Sequence, residues 1–279
     1  MNETPAKTAE GQVVWITGAS SGIGRALAHE WGARGAKLIL SGRDLQRLSA
    51  VADRTGAETI TVPFDVRDSE AMQRSVERAL AWAGRIDVLV NNAGISQRSL
   101  ALETSMEVYR QIIDIDLVSQ IELTQAILPK MVSQGGGKLV FISSIAGKVG
   151  VPLRTAYSAA KFGLIGYADA LRAEVKQHGI DVHVIAPGSV ATDVSKNALG
   201  ADAKPRGFSD EAIDNGMPVG KAAREIVDAV TAGEREVIVS DGAERRMGEL
   251  RKTQDEVFDR MAALMEEGYA EKLGASGGK

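Results

Sequence analysis

Cysteine is absent from the 279 residues, and with it go disulfides, thiolate zinc sites, iron–sulfur clusters and a cysteine nucleophile. Histidine is scarce: His29, His178 and His183 stand apart in the chain, which leaves little for an imidazole metal site. A basic excess is lacking too. Lys and Arg number 33 against 37 Asp and Glu, a net charge of −4, whereas nucleic-acid phosphates need a basic surface. No apolar run approaches the ~20 residues of a membrane span, and residues 1–11 have no apolar centre of the kind a secretory signal carries. The composition predicts a soluble, cytoplasmic protein with no metal, nucleic acid or membrane span. Glycine, by contrast, is plentiful at 30 residues, above the ~7% of average chains.

Short β-branched runs alternate with helical segments along most of the sequence. The runs at 12–17, 37–41, 59–64, 86–91, 138–143, 181–186 and 236–239 are nearly continuous in apolar residues, as parallel strands covered on both faces are. Helices are expected over 22–34, 45–54, 69–82, 106–132, 155–177 and 222–232. Right-handed crossovers then give an α/β fold, a single doubly wound Rossmann-type domain with a seven-stranded parallel sheet. It spans residues 12–242, after a flexible 1–11 segment and before a helical extension at 243–279. Residues 193–217 lack periodicity and form a candidate substrate loop or lid. In the extension, Met247, Leu250, Val257, Met261 and Leu264 recur at helical spacing. They predict an amphipathic helix, packed on the body or a sister subunit, or closing over the substrate mouth.

The first strand runs into Thr17-Gly18-Ala19-Ser20-Ser21-Gly22-Ile23-Gly24 and then an amphipathic helix. A helix N-terminus reached through glycines offers free N–H groups and about half a positive charge to a pyrophosphate. At the end of the second strand, where an acid would take the ribose hydroxyls of NAD, the chain reads Ser41-Gly42-Arg43-Asp44. Arg43 suits the extra phosphate of NADP, and Asp44 reads as the N-cap of the next helix.

Tyr157 and Lys161 stand four apart near the start of a predicted helix, on one face, and Ser144 ends the fifth strand. Strand C-termini are where doubly wound sheets bind ligands. Reducing a carbonyl requires a proton for the developing alkoxide and a hydrogen-bond donor to it. Tyr157 fits the first role and Ser144 the second. A free phenol loses its proton near pH ~10, and a neighbouring ammonium favours the ionised form, which gives Lys161 a purpose.

Together with Asp65-Val66 after the third strand, Asn91-Asn92-Ala93-Gly94 after the fourth, and Pro187-Gly188 with Val190 and Thr192 after the sixth, these motifs resemble the single-domain branch of the short-chain dehydrogenase/reductase family. The resemblance covers roughly residues 12–239. It implies that Gly18, Ser20, Ser21, Gly22, Ile23 and Gly24 cradle the cofactor and that Asp65 and Val66 hold its adenine. By the same resemblance Asn91, Ala93 and Gly94 line it, Pro187, Gly188, Val190 and Thr192 meet the carboxamide end, and Lys161 bonds the nicotinamide ribose. Arg43, with glycine rather than an acid before it, is similar to the NADP-preferring members.

One position departs from the family. Where its members carry an asparagine that holds a relay water, this chain has Asp116. Its carboxylate would compete for the charge of Lys161 and shift the pH optimum. Around the substrate, Gln97, Lys148, Arg154 and Lys196 form a possible cationic rim suited to an acidic substrate, while residues 152–157 and 171–174 are similar to lipid-associated reductases.

The sequence thus predicts an NADP(H)-dependent oxidoreductase acting on ketones or secondary alcohols, with hydrophobic or acyl-bearing substrates in view, assembled as a homodimer or homotetramer. The alternatives are a 3-oxoacyl-carrier reductase and a non-catalytic dinucleotide-sensing protein; a methyltransferase would have no use for the tyrosine and lysine.

Overall fold

The computed structural model describes residues 9–267, so residues 1–8 of the expected flexible segment and 268–279 of the extension lie outside the described residues. The strands are β1 (Val13–Thr17), β2 (Lys37–Ser41), β3 (Thr59–Thr61), β4 (Val88–Asn91), β5 (Gly137–Ile142), β6 (Ile180–Pro187) and β7 (Glu236–Val239). All pair in parallel in one sheet ordered β3-β2-β1-β4-β5-β6-β7. The order reverses between β1 and β4, which opens a crevice at their C-terminal ends.

Alternate residues of β1 feed opposite cores. Val14 and Ile16 pack with the helices α1 (Gly22–Ala33) and α8 (Val219–Ala232). Val13 and Trp15 pack with α3 (Ser69–Ala83), α5 (Ser119–Ser133) and α6 (Thr155–Val175). Burial on both faces is why these strands carry no polar alternation. Between β2 and β3 runs α2 (Leu45–Thr55), capped as expected by Asp44, whose carboxylate accepts the Arg47 N–H at 3.0 Å.

Apart from shifts of element ends, three regions differ from expectation. The helix expected over 106–132 is α4 (Met106–Ile113), a π-helical turn (Asp114–Val118) and α5; the wider turn rotates Asp116 into the interior. Residues 193–217 contain one short helix, α7 (Glu211–Asp214). The extension is two helices, α9 (Gly242–Glu249) and α10 (Asp255–Glu266). Its expected apolar stripe is not the buried face: Leu250 is 85% exposed and Met247 and Val257 are also exposed, while Gly248 and Phe258 are buried. The side chain of Met261 lies outside the described residues. Among the described residues no helix is long and apolar enough to cross a membrane.

Candidate active site

The crevice at the strand ends is bounded by the turn between β1 and α1. Gly18 takes φ +64°, a left-handed conformation that favours glycine. Gly24 sits behind it, set back from the crevice. A Cβ there would collide with the Gly18 carbonyl oxygen and lie 2.5 Å from the Asn92 side-chain nitrogen. Asn92 donates to the Thr17 carbonyl at 2.8 Å, and the Thr17 hydroxyl accepts the Asn92 and Ala93 N–H groups at 3.0 Å each. The turn is therefore clamped to the end of β4. Ser21, at the N-cap of α1, makes no side-chain cap hydrogen bond, unlike Asp44 on α2. The first N–H groups of α1 open onto the crevice beside Ser20, Ser21, Gly22 and Ile23, which line it.

Arg43, Asp65 and Val66 line the same crevice beyond β2 and β3. Arg43 is exposed. Asp65 accepts from the Arg67 guanidinium at 2.9 Å, and that bond, outweighing burial, holds its carboxyl below the usual range. Ala93, Gly94, Pro187, Gly188, Val190 and Thr192 complete the walls. Asn91 does not join them. Its side chain faces the packed interior, 1% exposed, with its amide donating to the Thr124 hydroxyl at 3.0 Å. Period-two alternation along β4 puts Asn91 inside and leaves the next residue, Asn92, on the crevice. The doubled asparagine was a sequence signal that two positions compete for one role.

Ser144, Tyr157, Lys161 and Asp116 meet on the opposite wall. Ser144 starts a 3₁₀ turn after β5, where its hydroxyl accepts the Ala146 N–H at 3.1 Å. Tyr157 and Lys161 lie one turn apart on α6, with the Lys161 ammonium 5.6 Å from the centre of the phenol ring. The ammonium donates to the Ile142 carbonyl at 3.0 Å and pairs with Asp116 at 3.1 Å. The other Asp116 oxygen accepts the Ile95 N–H at 2.8 Å. Burial pushes the Asp116 carboxyl up, against the pull of Lys161 and the Ile95 N–H. Burial also works against the Lys161 ammonium, yet Asp116 and Tyr157 together outweigh it and raise the lysine.

The cationic rim does not assemble. Lys148 is 4% exposed and ion-paired with the equally buried Glu236 of β7. Gln97 is fully buried, accepting the Ala156 N–H at 2.8 Å and donating to the Thr104 hydroxyl at 3.1 Å. Lys196 is exposed, and only Arg154 stays half-buried near Tyr157. A lysine in a glycine-flanked loop reads as solvated from sequence; its acidic partner lies 88 positions on, where no local pattern reveals it. Beside this wall Leu153 holds φ +65°, unusual for a branched residue, with its carbonyl accepting the Ser99 N–H at 3.1 Å.

Comparison with known proteins agrees with this architecture. The family model described as short chain dehydrogenase matches residues 12–202. "Dehydrogenase/reductase SDR family member 7B" of Danio rerio is 39% identical over 238 residues, covering 82% of this chain and 77% of that protein. "Dehydrogenase/reductase SDR family protein 7-like" of Drosophila melanogaster is 39% identical over 238 residues, covering 83% and 73%. Among solved structures, a metagenomic short-chain oxidoreductase in complex with NADP aligns with a TM-score of 0.69 at 30% identity, over 82% of this chain and 97% of that one. A short-chain dehydrogenase/reductase from Burkholderia phymatum in complex with NAD aligns with a TM-score of 0.74 at 24% identity, over 82% and 89%, a likeness of fold. With a matching family model over most of its length and relatives well above 30% identity, the chain belongs to the short-chain dehydrogenase/reductase family of oxidoreductases.

Proposed function

We propose that the chain is an NADP(H)-dependent oxidoreductase interconverting a ketone and a secondary alcohol. The observation that carries this reading is one crevice bearing both an N-terminus of α1 left without a side-chain cap and, on the facing wall, Ser144, Tyr157 and Lys161. The residues present fit a dinucleotide. Gly18 and Gly24 permit the tight turn, since a Cβ at either would strike Asn92, and the open N–H groups of α1 suit a pyrophosphate.

The nicotinamide, when bound, supplies or accepts the hydride. Tyr157 gives its hydroxyl proton to the substrate oxygen in reduction and takes it back in oxidation. Ser144 donates a second hydrogen bond to that oxygen, where negative charge develops. Lys161 keeps a positive charge beside the phenol, and Asp116 keeps the lysine protonated. Ile95, Val194 and Ile213, among the lining residues, support a substrate with an apolar body.

The preference for NADP rests on Arg43, which is exposed at the crevice with no acid at Gly42. It is tested by initial rates with NADPH and NADH on a panel of ketones, for the parent and Arg43→Ala. The expected result is a loss of about ten- to hundredfold in kcat/KM with NADPH, the size of a charge-assisted hydrogen bond, and little change with NADH. A parent that prefers NADH overturns the cofactor preference. Tight NADPH binding with no turnover of any carbonyl favours a dinucleotide sensor instead.

A further inference from the structure

We propose that Glu244, on α9 beyond the sheet, is a positioning residue that fixes the loop facing the nicotinamide end of the crevice. The inference rests on the cofactor reading above and adds a residue to it. Glu244 is half-buried at the first turn of α9. One of its oxygens accepts the Ser189 backbone N–H at 2.8 Å and the Ser240 hydroxyl at 2.9 Å; the other accepts the Ser189 hydroxyl at 2.8 Å. A single carboxylate thus takes up both donors of Ser189, the residue between Gly188 and Val190, which both line the crevice.

The carboxylate reaches this loop because Gly188 has no side chain. A Cβ at Gly188 would overlap a Glu244 oxygen and the Ser240 hydroxyl. Hydrogen bonds to an ionised acceptor are stronger than neutral ones, and the Ser189 bonds lower the Glu244 carboxyl below its usual range against the cost of burial. Two further contacts set the place of α9. Gly248 lies against Ile145 and Ile238, so close that a Cβ would come within 3.0 Å of both. The Arg245 guanidinium donates to the Ile238 carbonyl at 3.3 Å. On its other side the Ser189 loop is tied by the Met217 N–H to the Ser189 carbonyl at 2.8 Å and by the Ala191 N–H to the Met217 carbonyl at 3.0 Å. The loop is therefore held from two directions, by the substrate segment and by a helix that follows the last strand. Holding a binding loop in its bound shape raises affinity by reducing the ordering cost.

The test compares ligand pairs that differ only by the nicotinamide: NADPH with 2′-phospho-ADP-ribose, and NADH with ADP-ribose. Dissociation constants are measured by calorimetry for the full chain and for Glu244→Ala, Glu244→Gln and Ser189→Ala. Glu244→Ala is expected to weaken the dinucleotides by about tenfold while the ADP-ribose ligands stay within about twofold, since only the nicotinamide meets the released loop. Glu244→Gln, which can accept the Ser189 N–H and meet its hydroxyl, is expected to restore most of the affinity. Ser189→Ala, which keeps the backbone bond, is expected to fall between. Equal loss for both members of each pair, tracking a lower melting temperature, overturns the proposal and makes Glu244 merely structural. A parent chain that gains no affinity from the nicotinamide in either pair overturns the cofactor reading, and this inference with it.

Discussion

The ammonium of Lys161 lies 3.1 Å from the carboxylate of Asp116, which has no solvent exposure at all. A π-helical turn brings Asp116 there. Replacing it by asparagine keeps the shape and the acceptor for the Ile95 N–H but removes the charge that raises the lysine against burial. The Asp116→Asn variant is expected to have its pH–rate profile for kcat/KM displaced toward lower pH. Superimposable profiles for parent and variant contradict a role for the charge.

Asp210 joins two loops of the substrate side. It accepts from the Arg98 guanidinium at 2.5 Å and from Arg206 at 2.8 Å, and its N–H donates to the Ser195 hydroxyl at 2.9 Å. Burial would raise its carboxyl, but the bonds from Arg206, Ser195 and Arg98 hold it well below the usual range. The stability this contributes is present above the ordinary aspartate pKa of ~3.9 and is lost as pH falls below it. Asp210→Asn is expected to speed proteolytic cleavage within 193–217 and to raise substrate KM by about fivefold or more, a cost of about 1–2 kcal/mol. Unchanged protection of that segment contradicts the clamp.

Much of this architecture is legible from local pattern. The seven strands stand out because both faces are buried, and the glycine turn because strand, glycines and helix follow in order. Boundaries blur at the sheet edge: β3 ends at Thr61, although the Val62 and Phe64 N–H groups still donate to the Leu40 and Gly42 carbonyls at 2.9 and 3.0 Å. The pairings across the chain are what local pattern hides. Lys148 with Glu236 and Ser189 with Glu244 are separated by dozens of residues, and each of these acids reads alone as an ordinary surface charge, whereas Asp116 is matched to Lys161 only through the family resemblance. The two helices of the extension hide for a related reason. Phe258, under the Arg172 guanidinium at 3.9 Å, and Gly248 face the body, while Met247, Leu250 and Val257 of the regularly spaced apolar residues face out.

His183 tests the interior along the middle of β6. Its Nδ1 lies 2.6 Å from the Glu234 carbonyl, so that nitrogen carries the hydrogen, and Nε2 is buried without a partner. Burial lowers the ring from 6.5 to about 4, against the Glu234 carbonyl. A lowered folded value means stability that is complete above pH ~6.5 and lost as pH falls through ~4, about 3 kcal/mol in all. Urea midpoints of the parent are expected to fall steeply over that window, and those of His183→Gln to fall less. Identical slopes contradict the buried neutral ring.

Gly24→Ala places a methyl group against the Gly18 carbonyl and Asn92. The turn must shift, at a cost of about 1–3 kcal/mol. The expected outcome is a lower melting temperature together with weaker binding of 2′-phospho-ADP-ribose. Parent-like affinity contradicts the turn as the pyrophosphate cradle.

The measurement that bears most directly on the whole account is the rate of ketone reduction by Tyr157→Phe, with NADPH at saturation and the dissociation constant for NADPH measured alongside. The variant keeps the ring beside Lys161 and loses only the hydroxyl proton. NADPH binding is expected to be unchanged and kcat to fall about 10²–10⁴-fold, the range of general acid catalysis. Turnover at the parent rate contradicts the acid role of Tyr157.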